Sequence, residues 1–232
     1  MSEISDNVLR LREKIAAAAI RSGRDADAVA LVAAAKLNGA ARVREAIAAG
    51  VDAVGENRVQ EMEQKLSESA YDGAPLHFIG HLQSNKVRNV VGKCALIESV
   101  SGVELLRAVG LRAAALGVTQ DVLLEVNIGR EESKSGFVPE AVADAIDLVR
   151  GAENAVRVVG LMSIPPVCGE KTEEIRFFSS MYNLFIDISA KKSDNVDIRV
   201  LSMGMSGSFE TAIGEGATAV RIGTAIFGAR TQ

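Results

Sequence analysis

Eight short apolar segments recur along this chain, and they constrain its fold more than any other feature. Each is too short for a typical helix, and most are rich in Val, Ile or Leu. Most are also continuously apolar rather than alternating, which is typical of parallel strands that are covered on both faces. The segments are Val29–Ala35, Val51–Val54, Leu76–Ile79, Ala95–Val100, Val122–Ile128, Val156–Ser163, Val196–Ser202 and Ala219–Ile222.

Segments with helical character fill the gaps between these strands. Ala40–Ala49 is alanine-rich and ends at Gly50, a typical glycine C-cap. Pro139 stands where a first-turn proline is favoured. The other predicted helices are Asn57–Ser69, Ser84–Val91, Val103–Leu116, Pro139–Arg150, Thr172–Ser189 and Ser208–Ile213. Strand and helix therefore alternate along the chain, which predicts a parallel α/β fold.

Eight strands in 232 residues favour a closed (β/α)8 barrel of the TIM type. An open doubly wound sheet is the alternative, because periodicity alone does not distinguish the two. An extra amphipathic helix is predicted at the N-terminus, where Ile4, Val8, Leu11 and Ile15 recur at helical spacing. The sequence shows no repeat and no linker, so we expect residues 1–232 to form one domain.

Composition and charge argue against several classes of partner. The net charge is −4 and the pI is near 5.4, whereas nucleic-acid binding favours a basic surface. The most apolar stretches have strand length, and the N-terminus lacks a signal-peptide core, so we expect a cytoplasmic chain with no membrane span. Cys94 and Cys168 are interpreted as two reduced thiols. No cluster has metal-ligand spacing, and the acidic residues Glu61, Glu63 and Glu68 are interpreted as a solvated helix face.

Lys36 directly follows the first predicted strand. In such a barrel the carboxyl ends of the strands form the active face, so this amine is expected at the barrel mouth. An apolar wall around it would favour the neutral amine, which is the form that condenses with an aldehyde or ketone. The alternative is a lysine that simply reaches solvent.

Glycine and hydroxyl residues follow the last two predicted strands. Ser202–Ser208 contains two glycines and ends in serine, and Gly223–Thr224 follows the eighth strand. Loops at these two positions commonly bind phosphate, because glycines admit the phosphate close to backbone N–H groups. Ser206 and Thr224 would add hydroxyl donors. Ordinary turn glycines and capping serines are the alternative for either loop alone.

Arg221 lies inside the eighth predicted strand, where a buried arginine needs a partner. It either faces a ligand or pairs with a core carboxylate such as Glu125 or Glu56. An imine-forming lysine, a phosphate site and an interior arginine together suit pyridoxal 5′-phosphate (PLP). They also suit an aldolase that attacks a phosphosugar carbonyl through Lys36.

Several motifs in chain order resemble those of the pyridoxal phosphate homeostasis protein family. They run from about residue 31 to residue 230 and so cover nearly the whole chain. The similar blocks are Val54–Glu61, His77–Lys86, Glu125–Ile128, Ser133–Gly136, Gly160–Pro165, Leu201–Ser206 and Val220–Gly228.

This resemblance implies a barrel like the N-terminal domain of alanine racemase, with PLP held as a Schiff base on Lys36. It further implies that the phosphate is held by Ser206, Gly223 and Thr224 and that Arg221 approaches the pyridine nitrogen. By the same resemblance Asn57 would lie near the ring, and Ser163 and Met203 would line the pocket.

One departure from the family pattern lies beside the cofactor lysine. The family usually reads Ser-Lys-Thr-Lys-Pro, whereas this chain reads Ala35-Lys36-Leu37-Asn38-Gly39. Asn38 thus replaces the second lysine. Loss of that cation is expected to slow condensation at Lys36 and to alter any transfer of the cofactor.

Three functions follow from these residues. The resemblance favours a non-catalytic PLP carrier and buffer, expected to be a monomer, that passes PLP to apo-enzymes. A weak PLP-dependent amino-acid racemase is the second. Racemisation requires an acid or base on each face of the substrate, and Tyr71 and Tyr182, the chain's two tyrosines, are interpreted as surface packing residues. A phosphosugar aldolase without bound cofactor is the third.

Overall fold

The computed structural model describes residues 2–150, 155–166, 169–190 and 193–228. Eight parallel strands within these ranges close into a barrel, in which the first strand pairs with both the second and the eighth. The strands are β1 (Ala30–Ala34), β2 (Ala53–Glu56), β3 (Leu76–Phe78), β4 (Leu96–Val100), β5 (Gln120–Glu125), β6 (Val156–Met162), β7 (Val196–Ser202) and β8 (Ala219–Ile222). The predicted barrel is therefore confirmed over the open sheet.

Helices follow the strands around the outside of the barrel. They are α1 (Glu3–Arg21), α2 (Ala40–Ala48), α3 (Val59–Ser67), α4 (Val87–Val90), α5 (Val103–Leu116), α6 (Val142–Asp147), α7 (Lys171–Ser189), α8 (Phe209–Gly214) and α9 (Thr224–Phe227). Short 3-10 turns, Ser84–Lys86 and Pro139–Ala141, lead into α4 and α6. The sequence did not predict α9, a single turn directly after β8.

The N-terminal helix is confirmed as an addition to the barrel. Ser2 caps α1 by accepting a hydrogen bond from the Ser5 amide at 3.3 Å. The apolar stripe of α1 is buried, and the helix packs against α2, α8 and α9. Asn7 also donates to the carbonyl of Ile226 at 3.0 Å. This helix therefore covers the seam where the first and last elements of the barrel meet.

The barrel interior changes from apolar to polar toward the carboxyl ends of the strands. Two small apolar clusters, separate from the main core between strands and helices, fill its lower part. Their members are Leu96, Leu123, Val159 and Met162 in one and Val32, Ala53 and Ala219 in the other. Glu98, Glu125 and Arg221 each lie two residues beyond a cluster member, on the same face of the strand. The barrel interior thus contains a charged layer, formed by Glu98, Glu125 and Arg221, next to the two apolar clusters.

Two further expectations concern membranes and cysteines. Across the described ranges, no helix combines the length and apolar character that crossing a membrane requires.

Cys94 is a buried free cysteine, and burial raises the pKa of its thiol to about 12. Cys168 lies outside the described residues.

Candidate functional site

A cavity of about 390 Å³ opens at the carboxyl ends of β1 and β8. This volume is within the range of small-molecule sites, and this end of a barrel is where such sites occur. Five residues that the sequence singled out line it together: Lys36, Ser206, Arg221, Gly223 and Thr224. The fold therefore brings the lysine, the arginine and both glycine-containing loops to one cavity.

Lys36 lies in the turn that follows β1, and its side chain is exposed. The expectation that it lies against an apolar wall is therefore wrong, because the strand ladder ends at Ala34 and the turn carries Lys36 out over the cavity. Asn38, which also lines the cavity, donates from its amide to the carbonyl of Lys36 at 3.1 Å. The residue that replaces the family's second lysine thus bonds to the backbone of the first.

The loop after β7 packs closely against α8. Gly204 has a φ of +95°, and a Cβ there would lie 2.6 Å from Cβ of Ala212. A glycine is therefore required by both backbone conformation and space. Ser206 accepts a hydrogen bond from the backbone N–H of Ala225 at 3.4 Å, which links this loop to the start of α9. The two predicted phosphate loops are thus joined.

Arg42 is a cavity residue to which the sequence reasoning gave no role. It lies in the first turn of α2, donates to the carbonyl of Phe227, and its guanidinium lies 5.9 Å from the centre of the Phe227 ring. The carbonyl and the ring hold this cation at the cavity edge. Its position at the start of the helix that follows Lys36 was the sequence feature that could have indicated a place near the cavity.

Arg221 is buried, and both terminal nitrogens of its guanidinium donate hydrogen bonds to residues at the ends of β6 and β7. It donates to the carbonyl and hydroxyl oxygens of Ser202 at 2.8 and 2.6 Å and to the carbonyl of Ser163 at 2.8 Å. Its nearest carboxylate is Glu98, at 3.8 Å. The hydroxyl of Ser202 donates in turn to Glu98 at 2.6 Å, so that it bridges the two charges.

The partner of Arg221 differs from the two that the sequence suggested. Glu56 pairs with Lys65 instead, at 2.5 Å. Glu98 also forms a hydrogen bond with His77, whose Nδ1 lies 2.7 Å from the carboxylate. Burial acts to raise the pKa of Glu98, but His77, Arg221 and Ser202 together hold that pKa below its ordinary value. Glu98 is therefore the buried counter-charge of Arg221.

The remaining three predicted residues, Asn57, Ser163 and Met203, do not line the cavity. Ser163 and Met203 are fully buried after β6 and β7, and Met203 belongs to the main apolar core. Asn57 follows β2 and is partly buried. Oγ of Ser163 and Oδ1 of Asn57 have no hydrogen-bond partner among the described residues. Buried polar atoms without a partner are uncommon in folded proteins, and they favour a site where a ligand or water bonds them.

Glu125 ends β5 inside the charged layer. Burial raises its pKa to about 7, although Arg221 acts in the opposite direction. Its Oε2 has no hydrogen-bond partner in the described part of the chain. Glu125 is therefore a carboxyl group that titrates near neutral pH within the barrel.

This raised pKa predicts a pH-dependent stability. Because the folded state keeps a proton on Glu125 up to about pH 7 and the unfolded state loses it near pH 4.5, the free energy of unfolding should fall as pH rises across that interval. The variant Glu125→Gln should gain about 2 kcal/mol relative to wild type between pH 5 and pH 8. Urea unfolding at both pH values measures this gain.

A control variant shows whether the pH dependence comes from the buried Glu125 or would follow from removing any glutamate. Glu104 lies on the exposed face of α5, and Glu104→Gln should follow the wild-type pH curve. Parallel curves for wild type and Glu125→Gln from pH 5 to pH 8 would contradict the burial argument.

The two tyrosines lie away from the cavity lining. Tyr71 is buried rather than on the surface, and it donates to Glu56 at 3.1 Å. The surface interpretation of Tyr71 is therefore wrong, because its hydroxyl completes the Glu56–Lys65 pair. Tyr182 lies on α7 and is partly exposed, as expected.

Comparisons with known proteins agree with this geometry. The family model for the alanine racemase N-terminal domain matches residues 3–231. A pyridoxal phosphate homeostasis protein from Pseudomonas aeruginosa is 40% identical over 99% of this chain and 97% of its own length. A crystal structure from Bifidobacterium adolescentis superimposes with a TM-score of 0.91 at 39% identity, covering 97% of this chain and 94% of the other. The structure of PipY from Synechococcus elongatus with PLP bound gives 0.78 at 32% identity, covering 94% and 99%.

The closed parallel barrel and the match to the family model together place the chain in the class of alanine racemase N-terminal domains. Within that class, two pyridoxal phosphate homeostasis proteins are each 40% identical to this chain over nearly its whole length. The chain belongs to the pyridoxal phosphate homeostasis protein family.

Proposed function

We propose that this protein binds PLP in the cavity at the barrel mouth and holds it as a Schiff base on Lys36. One observation carries the proposal: Lys36 lines the same cavity as the two loops suited to phosphate and as the buried Arg221. A relative with 32% identity is described with PLP bound. When bound, the cofactor would supply an aldehyde group, and the amine of Lys36 would condense with it with loss of water.

The residues of the cavity fit a phosphorylated aldehyde. Gly223 faces β1 so closely that a Cβ would lie 3.1 Å from the carbonyl of Ala34, whereas a Cβ on Gly207 would meet no atom within 4 Å. The backbone at Gly207 is thus open to a close approach by phosphate oxygens, whereas Gly223 packs closely against β1. Ser206 and Thr224 add hydroxyl donors, and Arg42 adds positive charge. The family resemblance assigns Asn57, Ser163 and Met203 to the surroundings of the ring.

We propose a carrier role, in which the protein limits free PLP and passes it to apo-enzymes. The name that the curated relatives carry supports this role. The exposure of Lys36 also supports it, since an aldehyde held at an open mouth can leave by hydrolysis or by exchange with another amine. Transfer is tested by whether loaded protein reactivates an apo PLP-dependent enzyme faster than an equal amount of free PLP.

Glu125 favours a second candidate function, a weak PLP-dependent enzyme acting on amino acids. Burial raises the pKa of Glu125 to about 7, and a carboxyl group with such a pKa is able to accept and return a proton at neutral pH. Loaded protein would then exchange the α-hydrogen of an amino acid in deuterated water, and Glu125→Gln would abolish the exchange. Absence of exchange in wild type would leave the carrier role alone.

The visible absorption spectrum with added PLP tests the binding proposal. We expect a yellow band in wild type and its complete loss in Lys36→Ala, because no other amine lines the cavity among the described residues. Lys93 precedes β4 at the opposite end of the barrel and pairs with Glu63, so Lys93→Ala should keep the band. A colourless wild type would overturn the proposal and would favour the phosphosugar aldolase.

A further inference from the structure

Helix α3 contacts the backbone on both sides of Lys36. Nζ of Lys65 donates to the carbonyl of Ala35 at 2.9 Å. One helical turn earlier, Oε2 of Glu61 accepts a hydrogen bond from the N–H of Leu37 at 2.7 Å. The residues immediately before and after Lys36 are therefore each bonded to a charged side chain of the same helix. The interpretation of Glu61 as part of a solvated helix face is wrong.

The turn that carries Lys36 adopts a conformation that leucine rarely takes. Leu37 has a φ of +63°, in the left-handed region that non-glycine residues seldom occupy. Its side chain is 62% exposed, so apolar packing contributes little to holding it there. The N–H of Asn38 donates to the carbonyl of Ala35 at 3.1 Å and closes the turn. Hydrogen bonds, rather than burial, thus determine the backbone conformation next to Lys36.

The anchor on the Ala35 side is a buried ion pair. Lys65 is buried on α3, and its amine lies 2.5 Å from Glu56 and 4.0 Å from Glu61. Tyr71 donates to the same oxygen of Glu56 at 3.1 Å. A buried lysine is tolerated only where its charge is paired. After this pairing, Lys65 still directs one donor to Ala35, the residue before Lys36.

We propose that Glu61 and Lys65 are positioning residues that hold the Ala35–Leu37 turn, and so direct Nζ of Lys36 into the cavity. This inference rests on the proposed function, in which Lys36 forms the Schiff base. Neither side chain touches the cofactor in this proposal. They act on Lys36 through the backbone. Their removal should therefore lower the rate of condensation more than it lowers the affinity for the phosphorylated ligand.

The rate at which the yellow band forms after mixing with PLP tests Glu61 directly. We expect Glu61→Ala to slow this rate by about tenfold, equivalent to about 1.4 kcal/mol. Glu61→Gln should stay within about twofold of wild type, because the amide oxygen still accepts the Leu37 N–H. Glu63→Ala is the matched control, since Glu63 lies on the same helix but bonds Asn89 and Lys93. It should form the band at the wild-type rate.

A cofactor analogue without an aldehyde separates positioning from structural damage. Pyridoxine 5′-phosphate should occupy the same cavity but has no aldehyde with which to condense, so its affinity should change less than about twofold in Glu61→Ala. An unchanged rate in Glu61→Ala would overturn the inference, as would parallel losses of rate, analogue affinity and Tm. A wild type that forms no band would overturn the proposed function, and this inference with it. Lys65→Met tests the second contact, between Lys65 and the carbonyl of Ala35. In this variant too, the condensation rate should fall more than the affinity for the analogue.

Discussion

Replacing Glu98 by glutamine should lower the free energy of unfolding by about 3–5 kcal/mol, one of the two largest losses expected for a single substitution in this chain. Glu98 and Arg221 are each at most 4% exposed, and the hydroxyl of Ser202 bridges them. Glutamine preserves the shape of the side chain but removes its charge. Arg221 would then remain in the barrel interior with Glu125 as the other carboxylate that acts on its charge among the described residues.

Chemical denaturation measures this loss, and a second substitution identifies its cause. If the cost arises from an uncompensated cation, Glu98→Gln with Arg221→Met should recover part of the stability, so the two changes should be strongly non-additive. The exposed pair of Arg21 and Glu210, at 2.9 Å, provides the control. Glu210→Gln should cause no measurable loss, because exposed ion pairs contribute little. Additive losses at Glu98 and Arg221 would contradict the argument.

The barrel was predictable because apolar runs report directly on strands that are covered on both faces. The bounds of β7 and β8 coincide with their apolar segments. The predicted strand Val122–Ile128 was shifted, since β5 begins at Gln120 and ends at Glu125. The N–H of Val126 still donates to Met162 of β6 at 2.8 Å, but Val126 also forms an isolated bridge with Phe137 outside the named strands. Hydrophobicity alone does not show where a strand changes its partner.

The residues of the candidate site were predictable where they lie in or directly after a strand. Lys36, Arg221 and the two glycine-containing loops needed only their position relative to the apolar runs. Glu98 was overlooked although it interrupts the apolar segment Ala95–Val100, a signal comparable to that of Arg221. Glu61 could not be assigned from the sequence, because its role depends on how α3 packs against a turn that lies 24 residues earlier. Contacts between elements follow from the fold and not from local pattern.

Replacing Gly80 by alanine is the second substitution with a large expected effect. Gly80 follows β3, and a Cβ there would lie 2.1 Å from the carbonyl oxygen of Asn57 and 2.5 Å from its Cα. These are backbone atoms, so no side-chain rotation relieves the clash. The N–H of Ile79 donates to the carbonyl of Glu56 at 2.8 Å, and Ser99 donates to the carbonyl of Gly80 at 2.5 Å. Since both sides of Gly80 are held, the strands cannot separate without breaking hydrogen bonds.

We therefore expect Gly80→Ala to lower the free energy of unfolding by about 3 kcal/mol or more. The affinity for PLP should also fall, because the displaced residue is Asn57, which belongs to the proposed site and whose buried Oδ1 has no hydrogen-bond partner among the described residues. Denaturation and PLP titration measure the two effects. Gly214→Ala is the matched control, since that glycine ends α8 with no atom within 4 Å of an added Cβ. It should raise stability by about 0.5–1 kcal/mol. If Gly80→Ala remained as stable as wild type, the approach of β3 to Asn57 would have to be adjustable, and Asn57 would lose its fixed position in the proposed site.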